Sequence, residues 1–377
     1  MSRPTNLTEL PACGPFREVV IDLPAVTHNV RTIRERVGDI AVMVVVKANG
    51  YGHGMIDCAR AALAGGAQWL GVADLAEAVE LRAAGMTAPI LAWLHAPNES
   101  FDSAITHDIT IGVSSIEQLE RAARAGRARI HLKLDTGLSR NGLAPAEWVA
   151  AFARAAELEV SNQIVLEGIF SHVSNTHEEE DAAAAAEFDR ALELATAAGL
   201  NPTLVHLSAS LTTLTMPQLN YSMVRVGIAA YGLSPLDDRE PSEFGLRPAM
   251  TVRARVAAVR EVPAGVGVSY DYTYRTPTAT RLALVPLGYA EGVPRAASNC
   301  GPILVAGERK TVAGRVAMDQ FVVDAGDTPV EVGDEVVLFG DQARGVPSVA
   351  EWARACDTNV YEIVTRMGGR LDHVVVE

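Results

Sequence analysis

The chain has 377 residues, 49% of them hydrophobic, and a formal net charge of -14 at pH 7. This length and apolar content allow two domains with sizeable cores and exclude a disordered protein. The acidic balance argues against nucleic acid or an anionic membrane as the main partner, although a local cationic pocket can still hold one small anion.

The four cysteines and the first 16 residues indicate the cellular compartment of the protein. The four cysteines form no CxxC pair and fit no metal motif, and scattered thiols in a long chain indicate a reducing compartment. Residues 1–16 contain no apolar signal core, so we expect a flexible N-terminal tail. The longest apolar runs, such as residues 40–46, are too short to span a bilayer. The sequence therefore predicts a cytoplasmic protein with no membrane partner and no metal.

Between residues 40 and 230, short apolar runs alternate with Ala-rich windows of helical spacing. The predicted strands are 41–47, 68–72, 89–94, 109–113, 128–135, 164–172, 203–207 and 223–226, and the predicted helices are 55–64, 74–84, 116–125, 145–158, 181–198 and a short one after Ser210. Eight such repeats predict an α/β fold, a closed (β/α)8 TIM-type barrel, because parallel strands need crossover connections and buried faces. An open doubly wound sheet is the alternative, but no GxGxxG follows the first strand.

From about residue 247 the pattern changes to short alternating segments punctuated by Gly and Pro. The predicted strands are 250–256, 281–286, 301–305, 310–323 and 334–339, with one helix at 349–355. We therefore expect the barrel over residues 17–246, followed by a mostly antiparallel β domain over residues 247–377.

Lysine is rare in this chain. Only three of the 32 basic residues are lysines: Lys47, Lys133 and Lys310. Lys47 ends a run of five apolar residues, and desolvation of its amine lowers the pKa and frees a nucleophile for a Schiff base. The glycines of the next residues, 48–54 (ANGYGHG), let the backbone approach a ligand. The alternative is a strand-end lysine whose ammonium lies in water.

Other unusual residues also lie at predicted strand ends, where the side chains of a barrel converge. Arg140 follows the fifth strand, His172 closes the sixth, Ser210 follows the seventh, and Arg225 closes the eighth. Loops after the last two strands are typical phosphate sites, although Ser210 alone also fits an ordinary helix cap.

Lys133 lies in the motif HLKLD (131–135), and strand alternation puts it on one face with His131 and Asp135. That face points into the barrel, since helices cover the outside. Two interpretations stay open: an ion pair with Asp135, or a carbamylated Lys133 that orients Arg140.

Together these stretches resemble alanine racemase, a pyridoxal-phosphate enzyme of fold type III. VVVKANGYGHG (44–54) is similar to the family's cofactor-lysine motif, and the similarity extends through HLKLDTGLSRNG, FSH, VRVGIAAYG, GVSY, GYAEGV, GRVAMDQ and YEI. These motifs keep their order from Ile21 to about Met367, over nearly the whole chain.

The resemblance implies pyridoxal 5'-phosphate as cofactor and a two-base racemisation of L- and D-alanine that supplies D-alanine for peptidoglycan. It also implies a homodimer with shared active sites. Lys47 would hold the cofactor and act as the base for the D enantiomer. Tyr270 of the partner subunit would be the base for the L enantiomer.

Further roles follow from the same resemblance. The residues that bind the cofactor would be Lys47, Tyr51, His172, Ser210, Arg225, Gly227, Ile228 and Tyr361, with Arg225 donating to the pyridine nitrogen. The substrate carboxylate would meet Arg140 and Met318. The residues that surround and support these groups would be Lys133, His206, Tyr289 and Asp319.

The chain departs from the family pattern at three places. Ala209 replaces an asparagine, Val226 replaces a proline, and Arg370-Leu-Asp-His stands in place of a C-terminal Arg-Val-Pro-Arg. A serine or broad-specificity amino-acid racemase, or a weakened non-catalytic paralogue, therefore stays open as an alternative. A decarboxylase of the same fold needs an acid where this chain has Arg225, and a non-catalytic cofactor carrier resembles only the barrel.

Overall fold

The computed structural model describes residues 12–14 and 16–377. In chain order its strands are β1 (Arg17–Asp22), β2 (Ala41–Val45), β3 (Trp69–Val72), β4 (Ile90–Ala92), β5 (Thr110–Val113), β6 (Ala128–Lys133), β7 (Ile164–Phe170), β8 (Leu204–His206), β9 (Met223–Val226), β10 (Met250–Arg255), β11 (Ala258–Val262), β12 (Gly267–Val268), β13 (Tyr274–Arg275), β14 (Thr280–Val285), β15 (Pro302–Val305), β16 (Glu308–Ala313), β17 (Phe321–Gly326), β18 (Glu335–Phe339) and β19 (Asp372–Val376).

The helices are α1 (Leu23–Val37), α2 (Lys47–Tyr51), α3 (Met55–Ala64), α4 (Leu75–Ala83), α5 (Asp102–Thr106), α6 (Ile116–Ala125), α7 (Trp148–Val160), α8 (Glu178–Ala197), α9 (Ser210–Thr215), α10 (Val349–Ala355) and α11 (Val360–Arg366). Side-chain caps start several of them: Asp74 accepts from the Glu77 N–H at α4, and Ser115 accepts from the Gln118 N–H at α6. Among the described helices, none combines the length and the apolarity that a membrane crossing needs.

Residues 30–50 and 55–230 form one compact unit. Its eight parallel strands follow the order β9, β2, β3, β4, β5, β6, β7, β8. The Ser222 N–H donates to the Val205 carbonyl at 3.1 Å, and the Arg225 N–H donates to the Ser208 carbonyl at 3.0 Å, so the two end strands meet and nearly close the ring. The predicted (β/α)8 barrel is confirmed.

Apolar side chains fill the inside of this barrel. Met43, Leu91 and Met223 are fully buried and contact Trp69 and Trp93. The barrel is therefore a packed core, and functional side chains have room only at the strand ends.

The described residues up to Asn29, together with 51–54 and 231–377, form the second unit. It holds a nine-stranded sheet in the order β11, β14, β17, β16, β15, β18, β10, β1, β19, in which every neighbouring pair except β1 with β19 is antiparallel. The predicted, mostly antiparallel β domain is confirmed.

The division of the chain differs from the predicted range of 17–246 for the barrel. β1 hydrogen-bonds to β10 and β19, with Val19 opposite Val252, and so belongs to the antiparallel sheet. These pairings join segments far apart in sequence, which no local pattern reveals. Most of the predicted tail, 1–16, lies outside the described residues.

Two expectations for the β domain need correction. The predicted strand 310–323 is two strands, β16 and β17, because the chain turns at Gly314, whose φ is +81°. The predicted single helix is followed by a second one, α11, which Asn359 caps by accepting from the Glu362 N–H.

Candidate active site

Lys47 follows the carboxyl end of β2 and starts a left-handed turn. Ala48, Asn49 and Gly50 have φ of 52°, 54° and 62°, and Tyr51 has 54°. Left-handed backbone costs roughly 1–2 kcal/mol for each residue with a Cβ, so such a run persists only where contacts hold it.

Hydrogen bonds from neighbouring and distant residues hold this turn. The Gly50 N–H donates to the Val46 carbonyl at 2.8 Å, and the Asn49 Oδ1 accepts from the Met55 N–H at 3.1 Å. The Glu77 Oε1 accepts from the N–H of Ala48 at 2.6 Å. The backbone next to Lys47 is thus fixed by both neighbouring and distant groups.

The Lys47 amine lies in a desolvated and cationic environment. Burial lowers its pKa, the nearby Arg140 lowers it further, and Glu77 opposes both effects. The ammonium nitrogen is 5.8 Å from the centre of the Trp93 ring. A larger neutral fraction makes the amine a better nucleophile and base.

Lys133, at the end of β6, is also buried. Desolvation lowers its pKa to about 8, with further lowering from Arg225, Arg140 and Lys47. The Asp135 carboxylate accepts from the N–H groups of Gly137 at 3.1 Å and Ser139 at 3.0 Å. Asp135 is near enough to oppose these effects by raising the pKa of Lys133, so both interpretations of Lys133 stay open.

Arg225, on β9, lies at the centre of a hydrogen-bonded network. Its Nη1 donates to the His206 Nδ1 and carbonyl, both at 3.1 Å. Its Nη2 donates to the carbonyls of Ser171 at 2.8 Å and Leu207 at 3.1 Å, and to the His172 Nδ1 at 3.0 Å. Burial lowers the pKa of this guanidinium, but five acceptors satisfy it, and arginine stays charged in proteins.

The network continues through two buried histidines. The His206 Nε2 lies 2.8 Å from the His131 Nδ1. Burial lowers the pKa of His131 to about 3 and that of His206 well below its usual value, so both rings are neutral near pH 7. Because Arg225 can only donate, His206 accepts at Nδ1 and donates from Nε2, and His131 accepts at Nδ1. Each N–H donor in this chain of hydrogen bonds therefore points away from Arg225.

Ser210, the first residue of α9, is buried and accepts two backbone hydrogen bonds at its Oγ. The donors are the N–H groups of Gly227 at 3.1 Å and Ala229 at 3.4 Å. A hydroxyl that already accepts twice keeps its own proton to donate, which suits it to an anionic oxygen. The N–H of Gly227, which the resemblance places among the cofactor-binding residues, donates to Ser210.

Three tyrosines pack together in the second unit. The Tyr51 ring centre lies 5.1 Å from that of Tyr231 and 6.1 Å from that of Tyr361. Tyr51 is buried, and desolvation raises its pKa; desolvation raises the pKa of Tyr361 to about 12. Both phenols therefore stay protonated and can act as hydrogen-bond donors at neutral pH.

Tyr270 lies on a turn between β12 and β13 and is 70% exposed in the single chain. Its neighbours Ser269, Asp271 and Tyr272 have φ of 59°, 61° and 47°. The Ser269 hydroxyl donates to the Arg315 carbonyl at 2.7 Å, and Arg315 pairs with Asp271 at 3.1 Å. The phenol therefore projects from a strained turn that side-chain contacts hold.

The segments that carry Tyr289 and Met318 are bound to each other. The Tyr289 N–H donates to the Ala317 carbonyl at 3.1 Å, and the Ala290 N–H donates to the Met318 carbonyl at 3.0 Å. A Cβ at Gly288 would lie 2.3 Å from two carbonyl oxygens of the other segment, so only glycine fits.

A buried carboxylate holds the same two segments. Glu291 is fully buried and accepts from the Gly288 N–H at 3.0 Å and from the Arg370 Nε at 2.6 Å. Arg370 also pairs with Asp319 at 2.6 Å, and Arg17 lies 3.7 Å from Glu291. Arg370, the residue at which the C-terminus departs from the family pattern, thus joins the predicted residue Asp319 to Glu291.

The barrel unit therefore brings together Lys47, Arg140, Lys133, His172, Ser210, Arg225 and His206 at its strand ends. The sequence interpretation missed Glu77 and Glu291. Glu77 had a signal in the sequence, because it lies three residues after Asp74, which caps helix α4. Nothing local marks the second.

Two family models match the chain: alanine racemase, N-terminal domain, over residues 21–235, and alanine racemase, C-terminal domain, over residues 249–375. The alanine racemase of Thermobifida fusca is 50% identical over 367 residues, which cover 95% of this chain and 98% of that protein. The alanine racemase of Frankia casuarinae is 49% identical and covers 96% of this chain and 97% of its own.

Solved structures agree with these relatives. The crystal structure of alanine racemase from D-cycloserine producing Streptomyces lavendulae has a TM-score of 0.94 and 45% identity, covering 97% of this chain and 98% of that one. The fold and the site define a class of enzyme. It has a (β/α)8 barrel with a lysine amine at the strand ends and, in the same chain, an antiparallel β unit. The chain belongs to the alanine racemase family, and it is an amino-acid racemase, an isomerase.

Proposed function

We propose that this enzyme racemises L- and D-alanine with pyridoxal 5'-phosphate as cofactor, and that the D-alanine is used for cell-wall peptidoglycan. The observation that carries the proposal is the Lys47 amine after the carboxyl end of β2. Burial and the nearby Arg140 lower the pKa of this amine. All four cysteines are free thiols, which supports a reducing compartment, the cytoplasm.

The donor set at the barrel strand ends fits the cofactor. Lys47 offers an amine for the aldehyde, and Ser210 offers a hydroxyl that keeps its proton for the phosphate. Five acceptors anchor the Nη1 and Nη2 of Arg225, so its Nε–H is left as a fixed, charged donor for the pyridine nitrogen. We assign the other cofactor contacts to Tyr51, His172, Gly227, Ile228 and Tyr361.

When bound, pyridoxal phosphate acidifies the Cα proton of an attached amino acid by withdrawing electrons. Racemisation then requires a proton to leave one face and return to the other. Two groups on opposite faces do this without turning the intermediate over. We assign the proton on the D side to the Lys47 Nζ and that on the L side to the Tyr270 hydroxyl.

The substrate carboxylate needs cationic or N–H partners. Arg140 is exposed at the barrel strand ends and lies close enough to lower the pKa of Lys47, Lys133 and His172. We assign it to this carboxylate, together with the Met318 backbone, with Tyr289 and Asp319 beside it. Carbamylation of Lys133 would turn this side chain into an anion and so give Arg140, which lies close enough to lower the pKa of Lys133, an anionic partner.

A homodimer with shared sites is part of the proposal. Tyr270, Tyr272, Tyr289 and Met318 expose 70%, 61%, 44% and 53% of their surfaces in the single chain. Such apolar exposure is typical of a surface that another protein covers. A second copy of the chain would cover it, and Tyr270 of the partner subunit would then serve as the L-side base.

The first experiment tests the cofactor assignment and the substrate. Lys47→Ala should abolish the visible absorbance of the bound cofactor, whereas Lys310→Ala, which removes a lysine of the β unit, should keep it. Unchanged absorbance in the first variant contradicts the assignment. The purified protein is then incubated with L-alanine, L-serine and other amino acids, and each D product is measured. A preference for serine, or no product at all, would favour the alternative functions.

The second experiment tests the two bases and the dimer. Tyr270→Phe should slow exchange of the L-side proton more than that of the D-side proton, and Tyr272→Phe should change neither. Mixing inactive Lys47→Ala and Tyr270→Phe chains should restore about one quarter of the sites, because half of randomly paired dimers are mixed and each has one complete site. No recovery on mixing would contradict the shared site.

A further inference from the structure

Glu77 connects two loops of the barrel unit through the two oxygens of one carboxylate. Its Oε1 accepts from the Ala48 N–H at 2.6 Å, in the turn after β2. Its Oε2 accepts from the Ala73 N–H at 2.8 Å, in the loop after β3. Its own N–H donates to the Asp74 Oδ1 at 3.0 Å, which fixes the start of α4. The carboxylate therefore has a defined position, unlike that of an ordinary surface glutamate.

The bond to Ala48 falls at the first residue of the left-handed turn. Ala48 has a Cβ, and its φ of 52° is unfavourable for such a residue. A charged acceptor that binds its N–H compensates for part of this cost, since hydrogen bonds to carboxylates are stronger than neutral ones. The peptide that joins Lys47 to Ala48 is thereby held in one orientation.

We propose that Glu77 is a positioning residue for Lys47: its carboxylate holds the left-handed turn that directs the amine, and its negative charge balances the cations around that amine. This inference rests on the proposed role of Lys47 as the cofactor lysine. It assigns a function to a side chain outside the groups that contact cofactor or substrate.

The charges around Lys47 support the second half of this proposal. Arg140 acts on Lys47 from the loop after β6, and Lys47 in turn lowers the pKa of Lys133 and His172. Glu77 is the group that raises the pKa of Lys47 against burial and Arg140. Removing its charge therefore frees the amine at a lower pH.

Three substitutions separate charge from geometry. Glu77→Gln removes the charge and places an amide NH2 against one of the two backbone N–H donors. Glu77→Asp keeps the charge but is one methylene too short to reach both N–H groups. Glu80→Gln removes a charge from an exposed position on the same helix and serves as the matched control.

The first measurement is trace acylation of the full chain, freed of cofactor, at a series of pH values, with the modification of Lys47 and Lys310 read by mass spectrometry. Only the neutral amine reacts, so the profile reports its titration. We expect the midpoint for Lys47 to fall by roughly half a pH unit in Glu77→Gln, the effect of one partly screened charge. It should not move in Glu77→Asp or Glu80→Gln, and Lys310 provides the internal reference.

The second measurement is the affinity for pyridoxal phosphate, from its absorbance. We expect a several-fold loss in both Glu77 variants and none in Glu80→Gln. If the wild type does not take up the cofactor at Lys47, the proposed function fails. If the wild type takes it up, and both Glu77 variants match the Glu80→Gln control in midpoint and affinity, the positioning role alone is overturned.

Discussion

The Nδ1 of His131 lies 2.8 Å from the Nε2 of His206, and both rings are fully buried between Arg225 and the interior of the barrel. Since Arg225 donates to His206, the donors of this network all point the same way, and the His131 Nε2 carries the last proton. Among the described residues nothing accepts from that nitrogen. His131 therefore supports Arg225 only through His206.

Gly168→Ala should disturb this network through packing. A Cβ at Gly168 would lie 2.6 Å from the His131 Nδ1, the atom that contacts His206, so the ring must shift. We expect a loss of about 1–3 kcal/mol in the free energy of unfolding, the usual cost of overpacking a core. Urea denaturation measures it. The matched control is Gly368→Ala, which has no neighbouring atom within 4 Å of the new Cβ, and an equal loss there would contradict the packing argument.

The two buried histidines also predict a pH dependence of stability. His131 has a pKa of about 3 in the folded chain against 6.5 as its ordinary value, so between these limits the unfolded chain binds more protons. Stability is therefore fully present above about pH 6.5 and falls as the pH drops toward 3, with a slope of up to about 1.4 kcal/mol per pH unit for this group. His206, whose pKa is also lowered, adds in the same direction.

Urea titrations at several pH values between 7 and 4 measure this slope. His131→Asn should reduce it by up to about 1.4 kcal/mol per pH unit, because one titrating group is lost. His177→Gln, which changes an exposed histidine, is the control. A slope that is the same in all three proteins would mean that His131 titrates alike in the folded and unfolded states.

Glu291→Ala should destabilise the β unit. The substitution leaves the Gly288 N–H without its acceptor and Arg17 and Arg370 without their shared carboxylate. We expect a loss of about 1–3 kcal/mol in the free energy of unfolding, since a buried backbone N–H loses its acceptor and the mostly buried Arg17 loses its carboxylate partner. The exposed pair of Glu261 with Arg281 offers the control, and Glu261→Ala should change stability little.

The same variant should also raise KM for alanine, because Glu291 fixes the turn of Tyr289 and holds Arg370, which pairs with Asp319 next to Met318. Steady-state kinetics on Glu291→Ala and Glu261→Ala provide the comparison. A wild-type KM in a folded Glu291→Ala protein would show that these segments keep their positions without the carboxylate.

Lys133 should react reversibly with carbon dioxide. Burial lowers the pKa of its amine to about 8, so the neutral fraction near neutral pH is larger than for an ordinary lysine and grows as the pH rises through 8. The neutral amine adds to carbon dioxide, and one proton is released as the carbamate forms. Carbon-13 NMR in labelled bicarbonate should show a carbamate signal that disappears in Lys133→Gln and persists in Lys310→Gln. A signal that survives in Lys133→Gln would place the carbamate elsewhere.

The sequence predicted the features that local patterns carry. The barrel strands followed from apolar runs, and Lys47 and Arg225 stood out because each interrupts or ends such a run. The missed features join distant segments: Glu77 binds a residue 29 positions away, and Glu291 pairs with Arg370 across 79 positions. β1 likewise finds its partners only in the folded chain. Carboxylates and short strands of this kind look ordinary until tertiary structure supplies their partners.

The positions of the three lysines make this chain well suited to isotope labelling. Lys47 follows β2 and Lys133 ends β6 in the barrel unit, and Lys310 lies on β16 in the other unit, paired with Glu308 at 3.0 Å. A sample labelled only at lysine side chains would therefore give a spectrum of three resonances. Two of them would follow ligand binding directly, and the third would serve as a built-in standard in every titration.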